Sequence, residues 1–134
     1  MQIVEEPIGE YEKFPLKDET YKIIGECMNV FNELGNGFLE AVYQDALEVE
    51  FNLLGIPYKR EVQYQIYYKG NRLNRKYVAD FIVYDAVVLE LKAQEFLAKA
   101  NHNQVVNYLK ASNLKVGLLI NFGEKSLNYK RFIK

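Results

Sequence analysis

The 134-residue sequence contains no tryptophan, one cysteine, one histidine and three prolines. A lone cysteine, Cys27, cannot close an internal disulfide, which points to a reducing compartment. One cysteine and one histidine cannot build a structural zinc site. No apolar run approaches the roughly 20 residues that a membrane-spanning helix needs. The acidic stretch from Met1 to Glu12 lacks the basic start and apolar centre of a signal peptide. No amphipathic basic helix suggests docking on a membrane. These absences predict a cytoplasmic protein without a membrane partner. There is no G-x-S-x-G and no P-loop, and Gly35-Asn36-Gly37 falls between helices, so it is not a dinucleotide loop. An excess of charge is missing too. With 17 basic and 18 acidic residues the net charge is −1, which argues against tight nonspecific DNA binding through overall charge. The charge is nevertheless segregated, because Lys59, Arg60, Lys69, Arg72, Arg75 and Lys76 all fall in the middle of the chain.

What is present fits one domain. Hydrophobic residues make up 49% of the chain, enough for a core of this size to form without disulfides. The eleven tyrosines suit sheets and wet clefts, since the ring packs while the hydroxyl finds a partner. Residues 1–17, interrupted by Pro7 and Pro15, have no clear period and read as an arm. Residues 18–134 read as the domain. Asp18 or Thr20 can cap a first helix, in which Ile23, Cys27, Val30, Phe31 and Leu34 recur at helical spacing. A second helix runs from about Phe38 to Leu54, with Gly55 and Pro57 ending it. The period then changes to two. Val62, Tyr64, Ile66 and Tyr68 alternate with polar positions, Lys69-Gly70-Asn71 turns, and strands follow at about Arg75–Tyr84 and Val87–Lys92. These three strands predict an antiparallel meander. Ala98–Ser112 reads as a helix, and Val116–Ile120 as a strand buried on both faces. Leu127–Ile133 reads as a short last strand that offers an edge near Tyr129. The order predicts an α/β fold, a mixed central sheet flanked by helices.

The sharpest chemical feature is Asp80 followed by Glu90-Leu91-Lys92. Residues two apart in a strand face the same way, so Glu90 and Lys92 share a face while Leu91 points away with Val87 and Leu89. A carboxylate and an amine on an apolar strand cost several kcal/mol unless they are paired or metal-bound. The preceding strand can bring Asp80 beside Glu90. Two hard carboxylates can hold Mg²⁺, which polarises a phosphate and acidifies water, and a neighbouring lysine can stabilise the charge that develops. The three residues alone equally admit a structural ion pair to Lys92. Two helical segments add to them. Glu40 and Tyr43 are three apart, and Gln104 and Tyr108 four apart, so each pair shares a helix face. Singly, each tyrosine also fits a core or boundary position.

Gly37-x-x-Glu40-x-x-Tyr43 resembles the signature of the GxxExxY proteins, a bacterial and archaeal family in the PD-(D/E)XK nuclease-like superfamily. The likeness continues through Gly55-Ile56-Pro57, Tyr68-Lys69-Gly70, Ala79-Asp80-Phe81, Glu90-Leu91-Lys92-Ala93, Asn107-Tyr108-Leu109-Lys110 and Gly117 to Gly123, over about Tyr21 to Arg131. It implies a restriction-endonuclease-like core. It also implies Asp80 and Glu90 as ligands of Mg²⁺ (or Mn²⁺), Lys92 as the catalytic lysine, and Glu40 as a further acidic ligand or water-holder. Gln104-x-x-x-Tyr108 resembles the glutamine-tyrosine motif of recombination-type exonucleases, which holds substrate or water beside the metal, and Tyr43 would support the site. Asn101 stands where many members carry a histidine, and Val30-Phe31 where Val-His is expected. His102, the sole histidine, reads as a partly exposed helix residue and not as a ligand. Three functional readings follow. The first is a metal-dependent nuclease acting on nucleic acid, DNA foremost. The second is a non-catalytic module that keeps the fold and binds nucleic acid or protein. The third adds a homodimer formed through the edge near Tyr129.

Overall fold

The computed structural model describes residues 3–5 and 15–134. The remainder of the expected N-terminal arm lies outside the described residues. The elements run β1 (Val4–Glu5), α1 (Lys17–Leu34), α2 (Glu40–Leu54), β2 (Tyr58–Tyr68), β3 (Asn71–Val83), β4 (Val87–Lys92), α3 (Lys99–Ser112), β5 (Val116–Asn121) and β6 (Asn128–Ile133). The strands form one mixed sheet in the order β1-β6-β5-β4-β3-β2. Strands β2, β3 and β4 form the expected antiparallel meander. Helix α3 carries the chain across to β5, which runs parallel to β4, as a crossover connection requires. All six residues of β5 are buried. The fold is the α/β arrangement that the element order implies.

Two apolar layers cover the sheet. On one face Val83, Val87, Leu89, Leu91, Leu118 and Ile120 pack with Ile23, Cys27, Tyr43, Leu47 and Phe51 of α1 and α2. On the other, Ala79, Ile82, Val88 and Leu119 pack with Val105, Tyr108 and Leu109 of α3. A Cβ on Gly117 would come 2.6 Å from Val105 Cγ1, so the glycine is what lets α3 lie this close to β5.

Several boundaries differ from the periodicity. Thr20 is not the cap of α1. It lies inside the first turn, where its hydroxyl donates to Leu16 O at 2.9 Å and lies 3.1 Å from Lys17 O. Helix α2 begins at Glu40, two residues later than Phe38, after an extended Leu39. Asn101 Oδ1 accepts the Ala98 N–H at 2.9 Å, so this residue closes the start of α3. Strands β2 and β3 each begin about four residues earlier than expected. They meet at a two-residue turn, Lys69-Gly70, where both φ angles are positive (49° and 78°), the geometry that matches strand twist. The last strand is not a free edge either. β1 pairs with it, Val4 opposite Ile133 and Glu5 opposite Phe132, and the long terminal strand of the sheet is β2.

One irregularity positions the site. Phe81 and Val83 belong to the α1–α2 layer, Ile82 and Ala79 to the α3 layer. Strict alternation would put Ala79 with Phe81. The side chains change faces at Asp80, and Glu61 in the partner strand has φ 54°, a left-handed conformation that costs a non-glycine residue about 1–2 kcal/mol. The β3–β4 ladder ends at the same place, its last pair being Phe81 with Leu89. Beyond it, β2 and β3 continue as a two-stranded arm.

Candidate active site

Where β3 parts from β4, Asp80 supplies what the ladder no longer does. Its Oδ2 accepts the Leu91 N–H at 2.7 Å. Asp80 is thereby held one position beyond the last strand pair, with Glu90 next to it. Glu90 is 1% exposed and shares a side-chain hydrogen bond with Asp80. Its Oε1 is buried without a hydrogen-bond partner.

Two carboxyl groups in contact inside a protein cannot both ionise cheaply. Burial pushes Glu90 up to about 9, and the Asp80 charge pushes it the same way. Burial raises Asp80 too. A backbone N–H opposes the shift of each carboxyl, that of Leu91 for Asp80 and that of Asp80 for Glu90, and Glu90 is the more strongly raised of the two. Lys92, two residues along β4 on the same face, lowers both. Glu40, the first residue of α2, feels the same cation and the Asp80 carboxylate, while its partial burial raises it. Asp80 and Glu90 thus stand side by side, with Glu40 and Lys92 close enough to act on them electrostatically. None of the described salt bridges joins Lys92 to a carboxylate, so the lysine is not spent in a short structural pair.

The other expected residues divide. Tyr108, on α3, is buried, its hydroxyl donates to Val62 O at 3.0 Å, and burial followed by the charge of Glu90 raises it to about 12. Tyr108 thus walls the carboxylate pair and keeps its proton. Gln104, one turn earlier on α3, is half-buried, with no described hydrogen bond to the carboxylates. Tyr43 is placed in the core. Its ring stacks on Phe122 at 4.5 Å, and its hydroxyl donates to Gly35 O at 2.6 Å and accepts from Phe38 N at 3.2 Å. It holds the loop between α1 and α2, and so the start of the helix that carries Glu40. His102 lies apart from the carboxylates, with Nδ1 3.9 Å from Glu5 Oε2 and its ring against Phe132.

Three residues to which the sequence assigned no role at the site, Gln44, Arg60 and Asn121, surround the arrangement. Gln44, one turn after Glu40, is near enough to Asp80 for its side chain to favour the ionised carboxylate. Its Oε1 accepts from Arg60 Nη2 at 3.3 Å, which turns the amide nitrogen toward the carboxylate. Arg60 is itself held by Asp45 at 2.8 Å and Glu48 at 3.3 Å. Asn121 anchors the end of β4. Its Oδ1 accepts from Gln94 N (3.0 Å) and Gly123 N (3.1 Å), and its Nδ2 donates to Gln94 O (2.9 Å) and Glu124 Oε2 (2.7 Å). Phe122 N donates to Lys92 O at 2.8 Å, so the Lys92 backbone is pinned from the same loop. The spacing of Glu40 and Gln44, four apart on one helix face, was the available signal for Gln44.

A divalent cation fits this donor set. Two hard oxygens side by side and an orphaned buried carboxyl oxygen lose their mutual repulsion when a cation joins them. Among the described residues no group of three or more His, Cys, Asp or Glu is placed to hold a metal. Mg²⁺ commonly takes one or two carboxylates and keeps several waters, so the pair suffices for it. A separate open cavity of about 660 Å³, lined by Asn36, Glu95 and the turn between β5 and β6, shares none of these side chains. No helix among the described residues is long and apolar enough to cross a membrane.

Comparison with known proteins agrees with the fold. A sequence profile of the PD-(D/E)XK nuclease superfamily matches residues 17–132. A crystal structure of SSO0001 superposes with a TM-score of 0.57 at 15% identity, covering 92% of this chain and 62% of that one. The chain thus spans less than two thirds of that protein, and the likeness at this identity concerns architecture. No curated protein matches.

Proposed function

The chain belongs to the PD-(D/E)XK nuclease superfamily, and from that premise we propose that it hydrolyses phosphodiester bonds of nucleic acid, DNA foremost, at Asp80, Glu90 and Lys92. The observation that carries the reading is the Asp80–Glu90 pair with its unpartnered buried oxygen, beside Lys92, which no salt bridge among the described residues joins to a carboxylate. The finer resemblance to the GxxExxY proteins rests on Gly37, Glu40 and Tyr43 at their spacing. Asp80 and Glu90 would hold Mg²⁺ or Mn²⁺, which when bound neutralises phosphate charge and acidifies water. Lys92 faces the scissile phosphate, where its ammonium stabilises the negative charge that builds as the water oxygen bonds phosphorus and the P–O ester bond breaks. Glu40 accepts a hydrogen bond from the attacking water and orients it. Gln104 and Tyr108 line the α3 side, and the Tyr108 hydroxyl, already donated to Val62, keeps its place as a wall. Gln44 keeps the Asp80 carboxylate turned toward Glu90. This site belongs to a domain spanning residues 18–134, in a cytoplasmic protein.

The test is cleavage of end-labelled DNA with Mg²⁺ or Mn²⁺. Asp80→Asn and Lys92→Ala are each expected to lower the rate by about 10²–10³-fold, the usual cost of one group that stabilises developing charge. Cleavage unchanged in both variants would overturn the assignment. A second reading, a binding module without catalysis, is favoured by the net charge of −1. Titration calorimetry separates the two. Millimolar Mg²⁺ or Mn²⁺ that gives no heat with the native chain supports the binding module.

A further inference from the structure

We propose that the arm formed by the outer parts of β2 and β3 is a docking strip for unpaired nucleotides, leading a single strand to the carboxylate cluster. The proposal rests on the nuclease reading and adds the substrate class to it. Three observations carry it. The first is charge. Residues 62–79 contain Lys69, Arg72, Arg75 and Lys76 and no acid, in a chain whose net charge is −1. All four cations are exposed. Lys59 and Arg60, at the base of the arm, are instead neutralised by Asp85, Asp45 and Glu48. Within the hairpin, the cations that no described salt bridge neutralises lie in the part that projects past β4, where Lys76 Nζ donates to Gln63 Oε1 at 3.2 Å and Lys69 lies over the Tyr68 ring.

The second observation is aromatic. The same stretch holds Tyr64, Tyr67, Tyr68 and Tyr77. Tyr67 and Tyr68 are 62% and 61% exposed, and Tyr64 is 39% exposed. Burial usually rewards such rings, so a run of them in solvent marks a surface awaiting a flat partner. Bases in a duplex have their faces covered by neighbours, whereas unpaired bases have theirs free to stack on tyrosine. The interleaving of rings with cations is the composition that grips single strands.

The third is continuity with the site. Tyr64 stands directly opposite Tyr77 across the two strands, so both rings rise on one face. The Tyr64 ring meets Tyr108 edge-on, with centroids 6.0 Å apart, and the Tyr108 hydroxyl donates to Val62 O at 3.0 Å, at the base of the same strand. The rings of Tyr108, Tyr64 and Tyr77 thus run from the wall of the carboxylate pocket onto the arm, and past the register shift between Gln65 and Tyr67 the neighbouring Tyr67 and Tyr68 point to opposite faces. From Val62 to Tyr68 the strand covers about 20 Å, long enough for several nucleotides. The face change at Glu61 and Asp80 sets the direction in which the strip leaves the sheet.

The experiment measures binding by fluorescence anisotropy with the full chain in EDTA. The probes are a labelled 20-nucleotide oligo-dT and a blunt 20-base-pair duplex. Oligo-dT is expected to bind at least about 10-fold tighter than the duplex, and Tyr64→Ala to weaken oligo-dT binding by about 5-fold or more while leaving the duplex unchanged. Reversing three charges (Arg72→Glu, Arg75→Glu, Lys76→Glu) is expected to abolish most binding and to flatten the log–log salt slope by about 2. Circular dichroism melts confirm that the variants fold, and Tyr64→Phe, which keeps the ring, should restore oligo-dT affinity. Equal affinity for the two probes, or full affinity in the charge-reversed variant, would overturn the proposal. So would sedimentation showing that the arm variants dissociate a dimer, which would assign the arm to a second copy. Failure of the native chain to cut DNA with Mg²⁺ and Mn²⁺ would sink the nuclease reading and leave the arm's binding result to stand by itself.

Discussion

Glu90 is the residue on which the energetics of the site turn. Its folded-state value lies near 9, well above an ordinary carboxylic acid, with burial as the first cause and Asp80 as the second. A raised carboxyl value means the native state binds a proton that the unfolded chain releases. Below about pH 4.5 both states hold the proton, and the group is neutral in its effect. As pH climbs from about 4.5 to about 9 the native state is penalised progressively, because the unfolded chain alone gains the ionised form. Thermal melts should therefore show the native chain losing stability across that window in EDTA, and Glu90→Gln should flatten the loss. Millimolar Mg²⁺ should raise the melting temperature more at pH 8 than at pH 6, since fewer protons then compete for the same oxygens. A Mg²⁺ effect that persists in Asp80→Ala/Glu90→Ala would place the ion elsewhere. At this scale the carboxylate-lysine pattern was readable in the chain, because charged residues on an apolar strand are anomalous wherever the strand goes. Gln44 was not, since an amide on a helix is unremarkable until Arg60 and Asp80 are seen on either side of it.

Among the elements, the end of β4 carries the most exacting constraint. Lys92 is useful only if the strand leaves the sheet in the right direction, and Asn121 with Phe122 fastens that exit. Gly123 is part of the fastening. A Cβ there would lie 2.2 Å from Gln94 N and 2.3 Å from Gln94 O, backbone atoms that can move only by shifting the strand end. Gly123→Ala is expected to destabilise by about 1–3 kcal/mol, as overpacking does, and to slow cleavage more than Gly117→Ala, whose neighbour is a side chain. Chemical denaturation and cleavage rates check both. Period-two and helical spacing revealed these elements well, and the expected β4 and the end of α3 coincide with the observed ones. The spacing could not reveal β1, two residues long, nor the switch of faces at Asp80. A local left-handed residue such as Glu61 leaves no mark in a hydrophobic pattern that it interrupts only once. Tyr43, beside Glu40 in the motif, lies in the core, where its hydroxyl holds the loop that leads into α2; the helix rotation between positions 43 and 44 points Gln44 another way, toward Arg60.

For the whole molecule, the open edge is β2, whose outer half from Val62 to Tyr68 is itself uncharged, with Lys69 at the turn and the cations of β3 beside it. Like charges flanking an exposed strand oppose pairing with a second copy. The chain is therefore expected to sediment as a 15.7 kDa monomer at tens of micromolar, and a species of twice that mass would contradict this. The edge near Tyr129 that the sequence offers for pairing bears β1 at Phe132 and Ile133. Fold class, the order of the main helices and strands, and the anomalous placing of Asp80, Glu90 and Lys92 on apolar strands were determined by the sequence itself, because periodicity and charge placement are local properties of the chain. Which of these groups meet, and which surface is left for a ligand, was decided only by tertiary structure. The meeting of Asp80 from β3 with Glu90 from β4 depends on where one ladder stops and one backbone turns over, and those are set by packing between segments far apart in the chain.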